Sequence, residues 1–142
     1  MRELVLEDFP LKTFDKLRYA DMDRQGHVNN AVFSTFLETG RAEILYAPDD
    51  PIAEPGTAFV IARLMLEFRA EVKWPGEVQI GTRVADLGRS SIKLHQVVFQ
   101  NGKRAANADT VIVMVDLATR KARALPDAAI ERLSAFLVPE AK

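Results

Sequence analysis

The sequence predicts an α+β domain in which one long helix is wrapped by a curved, mostly antiparallel five-stranded sheet. Three observations carry this. Val32, Phe33, Phe36, Leu37, Ile44 and Leu45 recur at helical spacing, with Gly40 on the same face. The second half of the chain holds four apolar or alternating segments typical of strands, two of them joined by Asn101-Gly102. A further alternating segment precedes the helix, which gives the order strand, helix, four strands and a short closing helix. At 142 residues the chain is long enough to bury a core and fits a single domain spanning 1–142.

The first strand is expected over Leu11–Tyr19, where Leu11, Thr13, Leu17 and Tyr19 alternate to one side. The helix follows Asn30, and its wide apolar stripe predicts burial on more than one side. Gly40 costs about 1 kcal/mol against alanine inside a helix, so close packing against another backbone is its expected reason. The text APDDPIAEPG, with three prolines and a glycine, ends the helix in an irregular loop. Strands are expected over Ala58–Val72, Glu77–Leu87, Ser91–Gln100 and Lys103–Asp116. Val78, Ile80 and Val84 share one face of the second of these. Trp74 to Glu77 reads as a turn, and Asn101-Gly102 as a type I′ hairpin with positive φ at both positions. The closing helix starts at Pro126-Asp127 and is expected to bury Ile130, Leu133, Phe136 and Leu137. Open sheet edges and an apolar helix together predict a homodimer or a dimer of dimers.

Composition removes several classes of function. The formal charge is -1, with 48% hydrophobic and 27% charged residues, which gives no global reason to expect nucleic acid or an acidic membrane. There is no cysteine, hence no disulfide, thiol nucleophile or thiolate metal site. MRELVLEDFP lacks an apolar core of signal-peptide length, and no segment approaches the roughly 20 apolar residues of a membrane span. A cytoplasmic protein is the expectation.

The chemistry concentrates in YADMDRQGHVNN, Tyr19 to Asn30, just before the helix. DMDRQG imitates the start of an EF-hand loop, but the twelfth position is Val32 where a bidentate glutamate is required. Asp21, Asp23 and His27 have the ligand types of a transition-metal site, at a spacing too short to favour one. The helix start itself offers more. Its first N–H groups have no internal partner and carry positive dipole charge, so one of them can stabilise the oxyanion of acyl transfer. Gly26 lets a substrate approach the backbone, and an ionised aspartate just upstream is ready as base or nucleophile.

The string RYADMDRQGHVNNAVFSTFLETGR resembles the hotdog-fold acyl-CoA thioesterases typified by 4-hydroxybenzoyl-CoA thioesterase. Its GHVNN piece is similar to long-chain acyl-CoA thioesterases and to plant acyl carrier protein thioesterases. EFRAEVKWPGEVQIGTRV and GRSSIKLHQVVF resemble the family's later strands. The resemblance implies a hotdog fold, an acyl-CoA substrate and no cofactor or metal. It implies that Asp23 is the catalytic carboxylate and that the N–H of Asn30 polarises the thioester carbonyl. It places the site at a dimer interface, to which Arg89, Ser90 and Ser91 are brought from the partner subunit. His27 matches a histidine given a catalytic part in the plant enzymes. Gln25 stands where those enzymes carry asparagine, so catalysis and loop orientation are level readings for His27.

Plainer roles stand beside these. Asp21, Asn29 and Asn30 are good turn and cap residues, Tyr19 is more often core than ligand, and His95 is more often packed or solvated. Glu38 and Arg41, three apart, can pair along the helix, with an interface role for Glu38. Arg89, Lys93 and Lys103 could meet CoA phosphates. Alternatives to a thioesterase acting on CoA are a hotdog-fold hydrolase acting on acyl carrier protein, a dehydratase, or a non-catalytic acyl-CoA-binding protein.

Overall fold

A computed structural model describes residues 3–138. Five strands form one sheet in the order β1-β3-β4-β5-β2, every neighbouring pair antiparallel. They span β1 Leu11–Lys16, β2 Thr57–Phe68, β3 Glu77–Leu87, β4 Ser91–Gln100 and β5 Lys103–Asp116. The long helix α1, Val32–Leu45, follows β1, and the short α2, Asp127–Ser134, closes the chain. The expected α+β order therefore stands, and β3, β4 and β5 match their expected bounds.

Two strands are shorter than expected, each because the ladder is interrupted. β1 stops at Lys16: the N–H of Leu17 turns to Gly76 O, and Tyr19–Asp21 then coil into a 3-10 turn. Tyr19 is 75% exposed instead of in the core, edge-to-face with Trp74 at 5.3 Å. β2 stops at Phe68, because the N–H groups of Arg69 and Ala70 both converge on the one carbonyl of Ala105. Asn101 and Gly102 both take positive φ, 52° and 76°, as a type I′ turn requires.

α1 packs through one face on β1, β3 and β4. Phe33, Phe36 and Leu37 meet Val78, Ile80 and Val98, while Ile44 and Leu45 join Ile92, Leu94, Ile112 and Met114. The helix is not apolar all round: Ser34, Thr35, Glu38 and Glu43 are exposed. Gly40 is needed for close approach, though to side chains and not to backbone. An added Cβ would lie 2.8 Å from Gln96 Nε2 and 2.9 Å from Ile80 Cγ2. Gln96 is wholly buried there and donates to Leu37 O and Thr82 Oγ1, each at 3.0 Å.

In α2, Leu133 is buried and Phe136 half-buried, but Ile130 and Leu137 are 36% and 42% exposed. The helix ends at Ser134, and the following residues run beside β3, with Val84 N donating to Phe136 O. That change of period turns Leu137 outward. The opposite face of the sheet is partly covered by Leu4, Leu6 and Phe9 over Val97 and Phe99. Among the described residues no helix is long and apolar enough to cross a membrane.

β2 is an edge strand with a bulge. Ile61 pairs with Ile112 and Arg63 with Val111, which leaves Ala62 unpaired. The extra residue restores the alternation, so Phe59, Ile61, Leu64, Leu66 and Phe68 all face the helix side. α1 meets this stripe at its two ends. Phe33 stands edge-to-face with Phe68 at 5.1 Å, and Tyr46 with Phe59 at 6.3 Å. Between those contacts the stripe is open, and Ile61 is 47% exposed.

Candidate active site

The loop 21–31 is held by hydrogen bonds within it and to the adjoining Arg18 and Tyr19, with one long-range tie to Val72. Asp21 is buried, with both carboxylate oxygens taken by Arg18: Oδ2 accepts its backbone N–H and Oδ1 its guanidinium, each at 2.9 Å. The Asp21 carbonyl accepts Asn29 N–H, so this first acid is wholly structural. Asp23 has a double duty. Its Oδ1 accepts Gln25 N–H at 2.9 Å and, longer, His27 N–H at 3.5 Å, an Asx-type turn. Its Oδ2 is left toward His27 Nδ1 at 3.3 Å, both side chains being about one-fifth exposed.

Gly26 occupies the tip at φ +86°, a conformation that disfavours any side chain, and a Cβ there would meet nothing within 4 Å. The glycine is thus required by the turn, and the space beside it is open. Val28 anchors the far limb by donating to Val72 O at 2.8 Å.

The helix begins two residues later than Asn30. Asn29 Oδ1 accepts Ala31 N–H, its carbonyl accepts Val32 N–H, and Asn30 O accepts Phe33 N–H. An account of each donor from Val28 to Phe33 then leaves one over. Among the described residues, only the N–H of Asn30 in that run has no acceptor. Asn30 lines a cavity of about 240 Å³ with His27, Phe33, Phe68 and Glu71. A carboxylate–imidazole pair and a free N–H are the parts that attack on a carbonyl requires.

Glu71 is the residue that sequence reasoning missed. Its Oε1 lies 3.8 Å from His27 Nε2, so the imidazole sits between two carboxylates. Nothing local marks it, since it reaches His27 only because Val72 is stitched to Val28. Within one chain Asp23, Gly26, His27 and Asn30 lie together, whereas Arg89, Ser90 and Ser91, expected from a partner subunit, lie elsewhere. Arg89 and Ser90 lie in the β3–β4 connection and Ser91 opens β4; Arg89 O and Ser90 O accept Leu125 and Met114 N–H. Ser91 pairs with Val113, seven positions along β5 from Ala106, the partner of Phe68. That is roughly 23 Å at the usual strand rise. His95 is also remote from Asp23. Its Nδ1 accepts Arg83 Nε at 2.8 Å on the other face of the sheet.

The model of the family described as the thioesterase-like superfamily matches residues 17–133. The long-chain acyl-CoA thioesterase FadM of Escherichia coli is 30% identical over 127 residues, 87% of this chain and 96% of that protein. A thioesterase of Thermus thermophilus, solved with coenzyme A and zinc, is 32% identical with a TM-score of 0.78, over 92% of this chain and 96% of that one. The PA5185 protein of Pseudomonas aeruginosa superposes with a TM-score of 0.84 at 26% identity, over 94% and 95% of the two chains. Its hotdog fold and its sequence agree: the chain belongs to the thioesterase-like superfamily and is a thioester hydrolase.

Proposed function

We propose that the protein cleaves acyl-CoA thioesters to a free acid and CoA, with the thioester carbonyl held on the Asn30 N–H and Asp23 acting as base or nucleophile. The Asn30 N–H, left without an acceptor at a residue that lines a cavity with His27, the partner of Asp23, is the observation that carries this reading. In a partly desolvated cavity such a donor contributes about 10²–10³ in rate, because it is strongest when negative charge builds on the oxygen. Asp23 Oδ2 then delivers the attack, either by taking a proton from water or by forming an anhydride that water opens. His27 orients that carboxylate and is itself held by Glu71. The acyl group runs into the open stripe between α1 and β2.

The same reading includes a homodimer through β2. Its free edge and apolar stripe offer a pairing surface. A two-fold axis near the middle of β2 sets the Thr57 end of one strand beside the Phe68 end of the other. The partner's Arg89–Ser91 turn, which lies toward the Thr57 end, is thereby carried to the Asp23 site, as the sequence resemblance implies. Arg89 there is placed to meet CoA phosphates.

A panel of short, long and aromatic acyl-CoAs, with matching acyl carrier protein thioesters, monitored for thiol release, tests the reading. Asp23→Asn keeps an oxygen for the turn and removes the charge, so turnover should fall by about 10²–10⁴ with the fold intact. Equal turnover in the variant would remove Asp23 from the mechanism. Release only from acyl carrier protein would move the substrate assignment.

A further inference from the structure

At the far end of the α1–β2 stripe lies a second cavity, of about 400 Å³, lined by Glu38, Arg41, Leu45, Tyr46, Phe59 and Ile61 among others. Apart from Glu38 and Arg41 its walls are mainly apolar and aromatic. The Tyr46 hydroxyl accepts Phe59 N–H at 2.9 Å. Arg41 is half-buried here, and among the described residues its guanidinium makes neither a hydrogen bond nor an ion pair. Burial pulls it below the ordinary arginine range, with Glu38 and Tyr46 opposing. Arginine stays charged all the same, so it is a partly desolvated cation with five donors unanswered. Glu38 is exposed at the rim and forms no ion pair with it. Glu38 acts on the guanidinium only through space, beyond ion-pair distance, so the fork stays open to a second anion that would contact it directly.

We propose that this cavity receives the distal end of the acyl group, and that Arg41 selects acyl chains ending in a carboxylate. The inference rests on the acyl-CoA reading above, which puts the thioester at Asn30 and the chain along the stripe. Asn30 and Arg41 are eleven residues apart, about 16 Å along a helix. The arginine side chain leans back toward the helix start, which shortens the span to roughly 10–12 Å. At roughly 1.2 Å per bond of an extended chain, that accommodates a diacid of about eight to ten carbons. The apolar β2 stripe covers the methylenes, and the guanidinium fork takes the terminal carboxylate.

The test pairs sebacoyl-CoA, a ten-carbon diacid thioester, with decanoyl-CoA of the same length. The wild type should favour sebacoyl-CoA in kcat/KM by about 10- to 100-fold, the worth of one or two charge-assisted hydrogen bonds. Arg41→Gln should abolish or reverse that preference, and Arg41→Lys should keep part of it. A preference for decanoyl-CoA, or an equal loss on both substrates in Arg41→Gln, overturns the proposal. Calorimetry with free sebacate and decanoate separates the two readings. If neither thioester is cleaved, the acyl-CoA reading falls, while sebacate binding that Arg41→Gln removes still supports the cavity assignment. Sebacate bound equally by wild type and Arg41→Gln overturns it.

Discussion

Glu71 Oε1 stands 3.8 Å from Nε2 of His27, on the edge of the imidazole opposite to Asp23. Glu71→Gln keeps the side chain and removes its charge, so the ring loses one of its two carboxylate neighbours. A fall of about 3- to 10-fold in kcat with little change in KM is expected, smaller than for His27→Ala. Steady-state kinetics on the best acyl-CoA decides this; a selective rise in KM would move Glu71 to substrate binding.

The role of Asp23 is separable by isotope. A single turnover in ¹⁸O-water followed by peptide mass measurement puts label in the protein only if a mixed anhydride forms and water opens it at the aspartyl carbon. Label confined to the released acid excludes opening at the aspartyl carbon, and trapping of an acyl-enzyme with hydroxylamine then separates an anhydride opened at the acyl carbon from a general base.

Gly40→Ala should cost about 1–3 kcal/mol by urea unfolding, because the new methyl would meet Gln96, Ile80 and Thr82 at 3.0 Å or less. Neither Gln96, held by two hydrogen bonds, nor the sheet under it can move away freely. A variant as stable as the wild type would show the helix to be more loosely seated than described.

Acid should weaken the β5 end of the sheet. The N–H groups of Thr119 and Ala118 hold the Asp116 carboxyl below the usual carboxylate range, with a smaller contribution from Arg123. A carboxyl lowered by folding stabilises above its unfolded value, near 3.9, and that contribution fades as pH falls through the lower folded value. Asp116→Asn should therefore lower Tm at pH 7 and flatten the decline of Tm below about pH 4. Parallel melting curves for the two proteins down to pH 3 would contradict this.

Leu64→Glu places a charge in the middle of the open β2 stripe. If a second copy pairs there, light scattering should show dissociation and turnover should drop with it. A wild-type monomer that is fully active would remove the partner's Arg89, Ser90 and Ser91 from the site.

Much of this molecule is legible in its sequence because the signals are local. The helical period of α1, the alternation of β3 and the Asn101-Gly102 turn are each set by neighbours in the chain. The loop from Asp21 to Asn30 is legible for the same reason, since nearly all its hydrogen bonds fall within residues 18–33. Long-range geometry is not. Glu71 reaches the site through a single backbone stitch between distant segments. The one-sidedness of α1 was masked because its polar residues are spaced among apolar ones, and the sheet decides which face they share.

The unpaired Ala62 in β2 sets the phase of everything after it. Were Ala62 drawn into the ladder instead of bulging out, the second half of the strand would turn inside out: Leu64, Leu66 and Phe68 would go to the far side of the sheet, and Arg63, Met65 and Glu67 would take their places. The wall along which an acyl chain would lie then becomes charged without any change in composition. One alanine, left out of the ladder, thus keeps the strand's two halves in step.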